Sequence, residues 1–433
     1  YEVIAGAAPD VELGLKKPDK PAADAPAAEK KPKRKPAADI APWEEGASTE
    51  EKPDEESKPE EEAKPKSAGE GEARVLDENP YERQPYYKNA VYQAAMCYSN
   101  LLPKPNFQKM VNYFSLLAVK FPKDVLALDA YFKIGAFFMS LNQENKAQDL
   151  DKYKRAVEYF TKVVDTEREI KPDKAFSKAP EALSKVASAY YYMKDFAKVE
   201  EVFNLLKKDY AKSPFFAEAL YWMGMSYKDQ NKTREMLDLF TTLIEQFKGQ
   251  RESFIALSLL GDYYADEAAR EKKDPAAAVA ASNEAVKMFE RVVLEASPEP
   301  GERGSNVDLI LRSLNRLTKV YSDADRAQDG VDAYEKKFLP LFQKYPDIAA
   351  RVLEEISVFY NNNGVYDSAI DSLKKAEKLS KLTCRGEFFL AQAYDRKGDR
   401  ENAKKYYEDI INRCSKEPYA GMAFSALMLM ELE

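Results

Sequence analysis

The chain contains no histidine in 433 residues. That removes the usual general base near neutral pH and the commonest metal ligand. Cysteine is almost as scarce. Cys97, Cys384 and Cys414 are the only three, and they are too scattered for a zinc cluster. There is no Gly-rich phosphate loop, no HExxH and no GxSxG. Aspartate and glutamate pairs abound, but on helices such pairs are mostly solvated faces. No catalytic, cofactor or metal site is therefore expected, and a carboxylate-based enzyme is the weakest of the readings considered. No apolar run reaches the roughly 18 residues that suggest a transmembrane helix. The chain opens at Tyr1, with neither methionine nor signal peptide. It is expected to be a mature or truncated product that has lost any N-terminal signal or anchor.

Charge is unevenly spread. Residues 1–78 hold 13 basic and 21 acidic residues, which accounts for the whole net charge of −8 and leaves 53 of each sign in residues 79–433. A neutral region lacks the basic surface that nucleic-acid binding rests on, so no nucleic-acid partner is expected. Residues 1–78 are rich in Ala, Pro, Lys and Glu and poor in large apolar side chains. Such a segment cannot bury enough surface to offset its ordering entropy, so a disordered linker is expected there. Its basic block, Lys30 to Lys35, reads as an anionic-surface contact, a nuclear address or a solvated linker. Trp43 reads as a partner anchor or as an ordinary exposed residue.

What is abundant is a repeat. From Pro180 to Pro214 the spacing is 34 residues. Within that unit one helical pattern places Val186, Ala187 and Tyr190 on a face. A second places Val199, Phe203 and Leu206 on another. The same positions recur as Met223, Gly224, Tyr227, Met236, Phe240 and Leu243 in the next unit. They return as Ile356, Ser357, Tyr360, Ala369, Leu373 and Ala376, and again as Leu390, Ala391, Tyr394, Ala403, Tyr407 and Ile410. The small residue lets the first helix (A) of each pair approach the second (B). Gly364 and Gly398 fall where the turn requires backbone angles that other residues avoid. A single pair of this size cannot bury its apolar faces, so stacked neighbours are required.

The period and these positions resemble tetratricopeptide (TPR) repeats from about residue 86 onwards. The resemblance implies an all-α, TPR-type α-solenoid of about eight helix pairs. Looser units begin near residues 86 and 306 and recur around Ile134, Gly135 and Phe138 and around Leu260, Gly261 and Tyr264, and residues 418–433 form a capping helix. The expected divisions are a linker over 1–78, an N-terminal sub-array over 79–296 and a C-terminal sub-array over 306–433. The break between the sub-arrays, residues 297–305 (SPEPGERGS), reads as a loop or a hinge. Two A-to-B segments run long, one between Phe138 and Ala156 and one around Asp274-Pro275. The second is a helix-start signature.

In a TPR array the A helices line the concave face, and the expected partner is another protein bound there. Counting along helix A picks out Tyr92, Met96, Phe132, Met139, Tyr191, Tyr221 and Met225 as a groove rich in aromatics and methionine. The competing reading is that several of them pack between adjacent A helices. The later groove is more polar, with Arg312, Asn315, Lys319, Arg351, Glu354 and Asn361. The Lys and Asn clamp of chaperone-tail adaptors is missing, because Ser184, Ser188, Tyr221 and Met225 stand at its positions. The phrase from Ser213 to Gly224 resembles bacterial cell-envelope TPR adaptors, among them a cell-division coordinator and an outer-membrane assembly lipoprotein. That likeness implies a periplasmic or envelope scaffold near membrane or cell wall. The alternative is a cytoplasmic or organellar adaptor of a multiprotein complex.

Cys384 opens the last helix A and Cys414 ends its antiparallel helix B, so both lie at one level of the pair. They are expected either as a disulfide or as two reduced, partly buried thiols. Cys97, near the other end, is expected to stay free.

Overall fold

The computed structural model describes residues 84–101, 105–141, 146–271, 274–299 and 305–432. The expected linker over 1–78 lies outside the described residues, as do residues 300–304 of the break. The described chain is helical throughout, and its helices are antiparallel pairs of the TPR-type solenoid class. In chain order they are α1 (Tyr87–Ser99), α2 (Phe107–Lys120), α3 (Val125–Ser140), α4 (Lys146–Ile170) and α5 (Ala179–Tyr192). There follow α6 (Phe196–Asp209), α7 (Phe216–Asp229), α8 (Thr233–Gln246), α9 (Arg251–Arg270) and α10 (Pro275–Glu295). Next come α11 (Val307–Asp323), α12 (from Ala327–Ala333 through Tyr334–Phe338 to Leu339–Leu341) and α13 (Pro346–Asn362). The last are α14 (Tyr366–Leu379), α15 (Cys384–Lys397), α16 (Arg400–Arg413) and the terminal α17 (Pro418–Leu432). Odd-numbered helices up to α15 are A helices, and even-numbered ones are B helices. Two compact units divide the chain, one ending at Lys194 and one beginning at Asp195.

Local chemistry sets the boundaries. Asn106, Asp124, Asp274, Thr383 and Asp399 each accept a hydrogen bond from a backbone N–H in the first turn of α2, α3, α10, α15 and α16. Asp274 takes two, from the N–H groups of Ala276 and Ala277 at 3.0 and 3.1 Å, with Pro275 at the first helical position. The two long segments are absorbed by longer helices. α4 has 25 residues and α9 and α10 have 20 and 21, against 14 in α7 and α8. In the first unit the carboxylate of Glu167, near the end of α4, accepts from the N–H groups of Lys178 and Ala179 at 2.6 and 2.7 Å. A carboxylate at that position satisfies orphan donors and complements the helix dipole of α5.

In three pairs the A-helix glycine faces a phenylalanine of its B helix: Gly135 with Phe160, Gly224 with Phe240 and Gly261 with Phe289. A Cβ built on Gly224 would lie 2.3 Å from the Phe240 ring, and one on Gly261 would lie 2.7 Å from the Phe289 ring. Phe240 and Phe289 are fully buried. Five A-to-B turns carry a left-handed residue: Lys194 (φ 61°), Asn231 (57°), Asp325 (55°), Gly364 (73°) and Gly398 (89°). Only two of the five are glycine, so the other three carry the steric cost of that conformation.

α12 is the irregular B helix. The Leu339 N–H donates to the Tyr334 carbonyl five residues back, which makes Tyr334–Phe338 a π-helical turn. Pro340 follows at once and brings no N–H for a carbonyl in the preceding turn, and a widened turn is one way a helix accommodates it. Tyr334 and Phe338 are fully buried here, and the Tyr334 hydroxyl lies 2.9 Å from the hydroxyl of Thr318.

At the C-terminus, α17 packs on the last pair. Phe388, Ala391, Ala403, Tyr407, Ile410, Cys414 and Ala423 form one buried cluster, and Leu427 and Met430 pack against it. Cys384 and Cys414 are joined as a disulfide with Cα atoms 6.0 Å apart. Cys97 is free and exposed.

Candidate partner-binding surface

In the first unit, α1 and α3 are tied by side chains. Tyr92 donates through its hydroxyl to Asp129 at 2.6 Å, and its ring meets Phe114 edge-on at 5.6 Å. Burial and the Asp129 carboxylate both oppose ionisation of this phenol, so its pKa is strongly raised. One turn earlier, the Lys88 ammonium bonds Asp124. Burial works against charge on Asp124, but Lys88 and the Leu126 N–H hold its carboxyl below the usual range. Phe132 meets Phe160 of its own pair edge-on at 5.3 Å, and the Lys178 ammonium covers its ring at 5.2 Å. Met96 and Met139 are half-buried. Tyr191 is buried, with its ring 5.7 Å from Tyr192 and 4.7 Å from the Lys194 ammonium.

In the second unit, Tyr221 is 4 % exposed and its ring meets Trp222 at 4.8 Å. Burial pushes its hydroxyl up to about 12, with Arg312 opposing. Met225 is half-buried. The seven residues singled out by helical counting thus fall in two groups. Tyr92, Met96, Phe132, Met139 and Met225 keep an open side. Tyr191 and Tyr221 lie inside the packing, because an aromatic ring at a helix contact gains most when both faces are covered.

Sequence reasoning undervalued the polar part of the surface. In the second unit successive A helices α9, α11, α13 and α15 touch one another, and charged side chains cross each junction. Between α9 and α11, Asp262 accepts from Arg312 Nη2 at 2.8 Å and pairs with Arg316 Nε at 2.6 Å. From α11 to α13, Asn315 Nδ2 approaches Glu355 Oε1 at 3.4 Å. Glu355 pairs in turn with Arg385 of α15, whose guanidinium lies 5.3 Å from the Phe389 ring. Burial disfavours charge on Arg385, but Glu355 outweighs it and keeps the guanidinium protonated. Asn361 donates to the Phe389 carbonyl at 3.1 Å.

Beside this ladder, Glu354 pairs with Arg351 and accepts from Thr383 through the backbone N–H at 2.9 Å and the hydroxyl at 2.6 Å. Burial raises the Glu354 pKa in spite of these donors. Of the expected polar groove, Arg312, Asn315 and Arg351 keep exposure, whereas Glu354 and Asn361 are buried, because each is spent on hydrogen bonds to the next A helix or its N-cap. Asp262, Glu355 and Arg385 were not legible as part of it, although they complete it. The available signal was charge of alternating sign at like positions of successive A helices.

The ladder fixes the Arg312 guanidinium without consuming it. Arg312 remains 39 % exposed and can still donate to a partner's carboxylate or backbone carbonyl. A cavity of about 540 Å³ lies elsewhere, between the long ends of α9 and α10 and the end of α11. Half of its lining residues are alanine, and it carries few convergent polar groups. Among the described residues, no group of three or more Cys, Asp and Glu is placed to hold a metal ion, and no helix is long and apolar enough to cross a membrane.

Comparison with known families matches two segments. Residues 218–249, covering most of α7 and α8, and residues 388–416, covering α15 and α16, each match a tetratricopeptide-repeat family model. The chain carries TPR repeats. TPR repeats serve as scaffolds for protein–protein contact, so protein partners follow for this chain at that level. No curated protein matches the chain. Among solved structures, the crystal structure of BtubC (BKLC) from P. vanneervenii aligns with 16 % identity and a TM-score of 0.36, over 56 % of this chain and 93 % of that one.

Proposed function

We propose that this TPR chain is a non-enzymatic scaffold that binds partner proteins on the A-helix face and works in a bacterial envelope machine. An outer-membrane, cell-division or motor-associated complex is the class of machine intended. The observation that carries the binding reading is the polar ladder, in which Asp262, Arg312, Glu355 and Arg385 pre-order donors along successive A helices. Pre-ordering lowers the entropy cost of capture. Tyr92, Met96, Phe132, Met139 and Met225 supply an apolar complement on the same helix class. The envelope context rests on the likeness of the Ser213 to Gly224 phrase. Periplasmic residence also agrees with a joined Cys384–Cys414 pair.

Two measurements test the two halves of this reading. Cross-linking mass spectrometry on the full chain in its native cell should place partner cross-links on α9, α11 and α13. The double variant Arg312→Ala with Asn315→Ala should lose at least tenfold in partner affinity with an unchanged melting temperature. Cross-links confined to B helices would sink the A-face assignment. Fractionation should recover the chain with periplasmic or outer-membrane material. Recovery in the cytosol would move it to an intracellular complex.

A further inference from the structure

α17 is apolar on both faces. Its inner face, with Ala423, Leu427 and Met430, is spent on the last repeat. Its outer face leaves Met422, Phe424, Met428 and Leu429 at 48, 56, 46 and 64 % exposure. Gly421 and Ser425 are exposed between them, and a Cβ built on Gly421 would meet nothing within 4 Å. From Pro418 to Met430 the helix carries no charged side chain. A helix apolar all round is normally a buried helix. Positions 421, 425 and 428 follow the 4-3 spacing of a helix–helix seam, with Met422 and Leu429 one heptad apart beside it.

We propose that a second copy of this chain covers this face, with the two α17 helices packed antiparallel about a two-fold axis at Ser425. Three observations select that occupant. The first is shape. Antiparallel pairing about Ser425 sets Leu429, the most exposed side chain, against the notch at Gly421, and sets Met422 against Met428. A two-fold interface must be self-complementary in this way, and a small residue opposite a large one gives close packing. The second is charge. In this arrangement Glu431 lies beside the N-terminal end of the partner helix, where the helix dipole favours a carboxylate while Lys416 and Glu417 offset each other. Parallel pairing would set like ends together. The third is the absence of basic residues between Pro418 and Leu432. Helices that lie on membranes carry Lys and Arg on the polar face, so a lipid surface is the poorer fit. One helix face buries less than the roughly 800 Å² per partner of a standard interface. The equilibrium is therefore expected at micromolar concentrations.

The test uses the full chain. Sedimentation velocity across a hundred-fold concentration range through the micromolar should show a reversible monomer–dimer equilibrium. Leu429→Glu, at an exposed position, should weaken it at least tenfold while circular dichroism and melting temperature stay unchanged. In a Cys97→Ser background, Ser425→Cys should form an intermolecular disulfide on oxidation, and Lys405→Cys on exposed α16 should not. A monomer at every concentration that yields no Ser425→Cys cross-link overturns the proposal. So does association that Leu429→Glu leaves intact, or binding of α17 to phosphatidylglycerol vesicles in place of dimerisation.

Discussion

Gly224 shows how much one residue decides. It sits in the middle of α7, where alanine would add roughly 1 kcal/mol of helix propensity. Phe240 removes that option, because the added Cβ would stand 2.3 Å from its buried ring. Overpacking of this kind costs about 1–3 kcal/mol, so Gly224→Ala is expected to give a net loss of up to about 2 kcal/mol in urea unfolding. Asp325 is the opposite case. It holds φ 55° with a side chain attached. Asp325→Gly removes the left-handed penalty of about 1–2 kcal/mol but adds unfolded-state freedom. A net gain of roughly 0.5 kcal/mol is expected, read as a higher melting temperature. Glu354 carries a pH signature. Its folded pKa is raised, chiefly by burial. A raised carboxyl favours the protonated folded state, so its contribution is fully present below the unfolded pKa of about 4.3 and is lost as pH rises through the folded value. Glu354→Gln keeps an acceptor for Thr383 and cannot ionise. Its unfolding free energy is expected to fall less than that of the parent as pH rises from 4 towards 7.

Among the elements, α12 and the last pair depart most from the regular repeat. Sequence counting finds no clean register for α12, and the π-turn at Tyr334–Phe338 supplies the reason. An i−5 bond shifts every later side chain by one position, so a count of 3.6 residues per turn fails there. In the last pair, the Cys384–Cys414 link closes a separation of 30 residues. On the chain-entropy view that restrains the unfolded state by about 3–4 kcal/mol. Replacing both cysteines by serine should therefore raise hydrogen-exchange rates in α15, α16 and α17 and leave those in α1–α3 unchanged. Equal acceleration in both regions would show that the link stabilises more than the C-terminal end.

For the molecule as a whole, composition still guides one expectation about residues 1–78. Their scarcity of large apolar side chains leaves little to bury, so deleting them should shift the melting temperature of the remainder by no more than a degree or two. A drop of many degrees would show that the segment packs on the helices. The comparison of sequence and structure divides along physical lines. Helix pairing, period and caps were legible because each depends on residues close in sequence: Asp274-Pro275 starts a helix wherever it occurs, and Gly224 and Phe240 lie within one repeat unit. The exposure of an A-helix position was not legible. Tyr191 and Tyr221 fall on the same counted helix-A face as Met96 and Met225, at different positions along it, yet they end buried while the methionines keep an open side. What differs is the neighbour across the next helix, and only stacking supplies it. The same holds for the ladder. Asp262, Arg316, Glu355 and Arg385 are ordinary charges in the sequence, and tertiary structure links them into a partly buried ladder by bringing successive A helices within reach of one another. The sequence by itself determined that this chain is a TPR array, because apolar periodicity and glycine placement act locally. Only the tertiary structure decided which face carries organised polar groups and which face of α17 is left uncovered, because both depend on contacts between helices far apart in the chain.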